Sequence, residues 1–167
     1  SSFTYAFTVA QRAGMSWYHP HPDMATSSQV ALGLAGGFVI RDAEEDLLGL
    51  PSGAFEVPLV LRDANFDRAG NLSYNGTASG FTGKTLLVNG VRDPYLVTSP
   101  AIHRFRILGG SNSRVFRLAL SNAAEFTLIG SDGGLLPSAV TVAEIDLSPG
   151  ERVDVLERPV LFTPNHC

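Results

Sequence analysis

The sequence predicts an all-β protein built as a β-sandwich, and three observations carry that expectation. Short apolar runs recur along most of the chain, and several alternate with polar residues at a period of two, the mark of a strand with one buried face. Seventeen glycines and ten prolines are spread through the 167 residues rather than clustered, as in chains with many turns. Hydrophobic residues make up 44% and charged residues only 17%, enough apolar surface for a folded core and against disorder.

The elements follow in order. Phe3, Tyr5, Phe7 and Val9 alternate with Thr4, Ala6 and Thr8, which predicts a half-buried strand. Gln11 to Gly14 forms a turn, and Trp17-Tyr18-His19-Pro20-His21 resumes an extended course. Pro20 and Pro22 lack an N–H and have a fixed φ, so they exclude a helix there. Ser27 to Leu34 is expected to form a short helical turn, and Leu34 to Asp42 a buried closing strand. Residues 43–54, AEEDLLGLPSGA, are acidic and then broken by Gly and Pro, so they form the candidate linker. Beyond it come FEVPLVLRD, TLLVNG, HRFRILG, RVFRLALSN, FTLIGS, AVTVAEIDL and ERVDVL, separated by turn signals such as Asn89-Gly90 and Asp132-Gly133-Gly134. That number of strands suffices for a sandwich. The chain therefore divides into the end of one β domain (1–42), a linker (43–54) and most of a second β domain (55–167).

Charge and composition exclude several functions. The net charge is −4 and no basic cluster occurs, so neither nucleic acid nor an anionic membrane surface is an expected partner. No apolar run is long enough to span a bilayer. The single cysteine is Cys167, so no disulfide can form within the chain, which suits a reducing compartment or an exported protein that does without disulfides. The chain opens inside a strand pattern, with no initiator Met and no signal-peptide pattern, so the absence of a leader carries no weight.

The chemistry-bearing motif is His19-Pro20-His21, two of only four histidines. On an extended backbone, residues i and i+2 project to the same side, roughly 6.5–7 Å apart at Cβ. Two imidazoles so placed can converge on one metal ion, or each can hold one ion of a close pair. Imidazole suits zinc, copper, iron and nickel alike, and two ligands are too few for a closed site. Spacing alone leaves a proline-rich turn or histidines satisfied by hydrogen bonds as equal alternatives.

The stretch AGMSWYHPHPDMATSSQVALGLAGGFVIRD resembles the second copper-binding segment of the multicopper oxidases: an aromatic residue, Tyr or Phe, then His-Pro-His, followed by Gln-Val and Gly-Leu-Ala-Gly. EEDLLGLPSGAFEVPLVLRDANFDRAGNLSY, KTLLVNGVRDPYL, RFRILGGSNSRVFRLAL and IGSDGGLLPSAVTVAEIDLSPGERVDV resemble later segments of the same family, in the right order. The likeness runs from residue 3 to about 155 and is closest to the bacterial laccase, spore-coat oxidase and bilirubin oxidase branch. It implies cupredoxin-like Greek-key sandwiches: the end of domain one, with the His-Pro-His segment, and most of domain two. It also implies copper as cofactor, with dioxygen reduced to water at a trinuclear cluster and phenolic, aromatic or metal-ion substrates oxidised. By position, His19 and His21 resemble the two ligands of that segment, one to each ion of the type-3 copper pair. The partners implied are the remaining cupredoxin domains of the same protein, and the location implied is outside the cytoplasm: periplasm, extracellular space or spore coat. The family's other ligand segments, His-x-His-Gly and His-Cys-His, do not occur, so the chain is expected to be a fragment that is inactive alone. The alternative is a copper-free cupredoxin-like scaffold or interaction protein, against which the retention of both histidines speaks.

Other candidates take simpler readings. Relatives often carry a third histidine where this chain has Asp23, an expected change in the surroundings of the ligands rather than in the ligands. Gly109-Gly110 stands where relatives tend to have Asn-Gly, and a looser turn is expected. His103 lies in phase with Phe105 and Ile107 and is expected at the core edge with a backbone partner. Asp63, Asn65 and Asp67 faintly suggest a calcium loop, but the glycine comes late and no Glu closes it, so a hairpin turn is expected. Asn71 and Asn75 begin formal glycosylation sequons, expected to stay bare in a bacterial protein. Trp17 and Tyr18 are expected to pack around the histidines. Residues 156–167 leave the family pattern, and His166-Cys167 is a chance likeness to half of a copper motif.

Overall fold

A computed structural model describes residues 2–158. Strand β1 (Gly14–Tyr18) pairs antiparallel with β2 (Gly36–Ile40), and the short helix α1 (Thr26–Ala31) lies between them in sequence. Helix α2 (Ala43–Leu47) and a single 3-10 turn (Gly53–Phe55) follow. Nine strands complete the described chain: β3 (Glu56–Phe66), β4 (Leu72–Ser73), β5 (Thr85–Val88), β6 (His103–Gly109), β7 (Phe116–Ala119), β8 (Phe126–Ser131), β9 (Gly134–Val142), β10 (Glu144–Leu147) and β11 (Arg152–Glu157).

The main sheet has the order β4-β3-β6-β11-β8-β9, with β5 also paired to β3; β3 and β6 run parallel, the other pairs antiparallel. A second sheet of β7 and β10 covers one face of it. The core lies between the two sheets and centres on Ile107, Phe126, Ile145, Leu147 and Val155. Period-two alternation explains the fit: Ile145 and Leu147 of β10 point inward, while Asp146 faces out and accepts from Arg117 of β7 at 2.8 Å. The fold is thus a β-sandwich, and the Asp132-Gly133 signal makes the β8–β9 hairpin.

Strand β6 is buried on both faces. Phe105 and Ile107 face the sandwich core; Arg104 and Arg106 face the other way, yet both are fully buried. Their cover comes from residues 41–56. Glu45 of α2 is buried and reaches Arg104 at 2.6 Å and also Arg106; Asp154 binds Arg104 at 2.6 Å; Arg106 and Arg41 both bind Glu56. Within the stretch expected as a linker, α2 thus carries Glu45 over a buried charge cluster.

Three expectations need correction. Residues 2–12 form no strand and are exposed; Phe3, Tyr5 and Phe7 are 79%, 80% and 71% accessible. The alternating pattern is there, but a strand needs a neighbour for its backbone groups, and none lies beside this segment among the described residues. Strand β2 is less buried than expected: it pairs only with β1, leaves Phe38 exposed and buries Ile40 alone. Gly109-Gly110 is not loose. A Cβ on Gly109 would come 2.5 Å from the Ser148 carbonyl oxygen, and Gly110 N–H donates to the Leu61 carbonyl at 2.7 Å. Close backbone approach, not slack, is what glycine supplies there.

The hairpin expected at Asp67 forms between β3 and β4, with Asp67 Oδ1 accepting from the N–H groups of Ala69 (2.9 Å) and Asn71 (2.8 Å). Residues 159–167, with His166 and Cys167, lie outside the described residues.

Candidate metal centre

Strand β1 stops at Tyr18, so the histidine pair sits just past the ladder, where the prolines exclude a helix. Side chains at i, i+2 and i+4 share a side there, and Trp17, His19 and His21 form a row of rings. Trp17 and His19 stack with centroids 4.3 Å apart, and the His19 and His21 rings lie 4.2 Å apart at a 40° tilt. His19 is partly buried and His21 exposed. His19 Nδ1 lies 3.1 Å from the Pro20 carbonyl oxygen; a ring that donates there leaves Nε2 with its lone pair free for a metal.

The row is supported at its Trp17 end. A Cβ on Gly150, in the turn before β11, would come 3.3 Å from the Trp17 ring, so the indole rests on that glycine. Tyr18 lies over Gly36, where a Cβ would meet its hydroxyl at 2.5 Å. Trp17, Tyr18 and His19, with Tyr5, Phe7 and Phe38, line an open apolar cleft of about 770 Å³. Asp23 is exposed in the turn that leads into α1, and Met24 is 99% accessible with a φ of 55°, a left-handed backbone that favours glycine.

The expected helical turn is α1, and it ends in a Schellman motif. Leu34 N–H donates to the Gln29 carbonyl at 3.0 Å, Gly33 N–H donates to the Val30 carbonyl at 2.9 Å, and Gly33 has a φ of 102°. The Gly-Leu-Ala-Gly motif is thus in part a helix stop. The Ala31 carbonyl, left over at that end, accepts from Arg62 of β3 at 2.8 Å.

The other sequence candidates lie apart from the pair. His103 is buried, with Nδ1 2.9 Å from the Ala101 carbonyl oxygen and its ring edge-on to Phe55, the expected core-edge histidine. Asp63 is buried; it accepts from Gly83 N–H at 2.6 Å and Arg114 Nε at 3.0 Å, which makes it a hub for loops. Among the described residues no group of three or more His, Cys, Asp or Glu could hold a metal, so His19 and His21 stand as a pair. Sequence reasoning missed Arg62, Asn112, Glu45 and the arginines of β6. The phase of Arg104 and Arg106 within an otherwise apolar strand was the one available signal, since buried arginines need carboxylates nearby.

A family model described as multicopper oxidase matches residues 1–45. A laccase of Bacillus subtilis (strain 168) is 38% identical over 165 residues, covering 91% of this chain and 32% of that protein. The cell division protein FtsP of Escherichia coli (strain K12) is 38% identical over 151 residues, covering 89% and 32%. The crystal structure of McoA multicopper oxidase from Aquifex aeolicus superimposes with a TM-score of 0.85 at 43% identity, over 91% of this chain and 35% of that one. The chain spans about a third of the length of these relatives. The motif segments, the sandwich and these likenesses converge: the chain belongs to the multicopper oxidase family.

Proposed function

We propose that this chain is the central part of a laccase-like multicopper oxidase, in which His19 and His21 each bind one ion of a type-3 copper pair. The observation that carries the reading is the row of rings at Trp17, His19 and His21, with the two imidazoles at contact distance and His19 Nδ1 beside the Pro20 carbonyl oxygen. The donor set fits copper: neutral imidazoles suit it, and Pro20 limits the conformational freedom lost when the ligands are fixed. Two imidazoles do not complete a site, so further ligands would come from elsewhere in a longer protein. Copper, when bound, supplies one-electron redox chemistry that couples oxidation of the substrate to reduction of dioxygen.

The residues of this chain hold and shield. The Pro20 carbonyl sets the tautomer of His19, Trp17 fixes its ring plane, and the Pro20–Pro22 backbone keeps His21 beside it. Residues 1–42 belong to domain one, 43–54 to the connection and 55 onward to domain two, and the remaining cupredoxin domains supply the other ligands. Phenolic or aromatic compounds or metal ions are the substrate classes, and export from the cytoplasm is part of the same reading; both rest on family membership. Among the described residues no helix is long and apolar enough to cross a membrane.

The test is copper content and oxygen consumption of the full-length protein with and without His19→Ala and His21→Ala. Each substitution is expected to lower both. Unchanged copper and unchanged oxygen reduction in both variants would refute the ligand assignment. The second reading, a copper-free scaffold, is favoured by the likeness to proteins named for cell division. It predicts that the full-length parent takes up no copper on reconstitution.

A further inference from the structure

We propose that Arg62 and Asn112, both in the second sandwich, are positioning residues for the histidine pair, acting through helix α1. The inference rests on His19 and His21 being the copper ligands and adds what holds them in place.

Helix α1 follows the pair almost directly, and the link between them is short and hydrogen-bonded. Ala25 N–H donates to the Pro22 carbonyl at 3.3 Å and Thr26 Oγ1 donates to the same oxygen at 3.0 Å. Where α1 goes, Pro22 and His21 follow. A helix of six residues has no stability of its own, so its position is set by what it touches.

The second sandwich touches it at both ends. Asn112 Nδ2 donates to the Ser27 carbonyl at 2.8 Å and lies 2.9 Å from Ser27 Oγ, which in turn meets the Tyr74 hydroxyl at 2.9 Å. At the other end Arg62 donates to the Ala31 carbonyl. Gly33 makes room for that guanidinium, since a Cβ there would come 2.5 Å from Arg62 Nη1. Burial pulls the Arg62 pKa below the ordinary arginine value, opposed only in part by Asp63. A half-buried guanidinium that gains one neutral carbonyl is poor value as a stabiliser, because dehydration of the charge offsets the bond. Its geometry is what the arrangement keeps.

The other flank is held by the same sandwich. Arg152 Nε donates to the Met15 carbonyl of β1 at 2.9 Å, and Trp17 rests on Gly150. The pair is therefore slung between a strand and a helix that are each gripped by domain two, and domain two becomes part of the metal site without contributing a ligand.

The test uses the full-length apoprotein, titrated with copper against a chromogenic chelator, with hydrogen exchange read by segment. Arg62→Met keeps bulk and removes the donor; Asn112→Ala removes the other contact; Arg62→Lys restores charge and one donor. We expect Arg62→Met and Asn112→Ala to weaken copper binding about 10–100-fold, the usual loss when groups that orient metal ligands are removed. Exchange should rise over residues 19–31 while the peptide covering β6 stays protected, and Arg62→Lys should recover part of the affinity. Copper affinity within about twofold of the parent in both donor-deleted variants, with His19→Ala and His21→Ala still losing copper, would overturn this inference alone. Affinity unchanged in the histidine variants too would sink both readings. Equal exchange increases across residues 19–31 and β6 would mean general destabilisation, and would also count against a positioning role.

Discussion

Glu45 shows how one side chain ties helix α2 to the sandwich. It lies buried over two arginines of β6, and both Arg104 and Arg106 would lose a counter-charge without it. Burial works against the Arg104 charge, yet Asp154 and Glu45 outweigh it and hold the guanidinium above its ordinary value. Removing one partner of such a buried cluster typically costs about 3–5 kcal/mol, because the remaining charge stays dehydrated. Glu45→Ala should lower stability by that order in a urea titration, and a loss under about 1 kcal/mol would mean that water reaches the arginines. Glu56 adds a pH dependence. Burial pushes its pKa up, but hydrogen bonds from Arg41 and Arg106 win and hold its carboxyl below the ordinary value of 4.5. A depressed carboxyl contributes stability that is fully present above the unfolded pKa and is lost as pH falls through the folded one. The urea midpoint should therefore drop as pH falls below about 4.5, and Glu56→Gln should flatten that drop. Neither acid was legible as a buried group, Glu45 in an acidic, Pro- and Gly-broken stretch and Glu56 at the start of an apolar strand, because composition reports mean polarity and not which residue turns inward.

At the scale of elements, the site depends on how α1 stops. Gly33 satisfies two demands together, a left-handed backbone and clearance for Arg62. Gly33→Ala should cost about 1 kcal/mol or more from the backbone alone. It should also speed exchange over residues 26–34; thermal unfolding with segment-resolved exchange checks both. Elements with internal cues were legible in the sequence: the helix-free His-Pro-His run from its prolines, the β3–β4 hairpin from its Asp and Asn, and most of the strands from their alternation. Elements set by neighbours were not. Residues 3–9 carry a strand pattern with no strand to pair with among the described residues, and Gly109-Gly110 looked slack because the backbones pressing on it, at Ser148 and Leu61, lie far away in sequence.

For the whole molecule, the sandwich and its strand content followed from periodicity, and the ordered motif segments pointed to the family. The packing that unites the pieces did not, since it depends on isolated long-range contacts such as Arg152 to Met15 and Arg62 to Ala31. These contacts join β1 to β11 and α1 to β3. Phe3, Tyr5 and Phe7 stay exposed in a segment that pairs with no strand among the described residues. The central claim is that His19 and His21 each hold one ion of a copper pair. A crystal structure of the copper-loaded full-length protein, with anomalous difference maps recorded on either side of the copper absorption edge, tests it most directly. The account predicts two neighbouring copper peaks, one ligated by His19 and the other by His21. A single ion shared by both rings, or copper elsewhere with both imidazoles free, would contradict it.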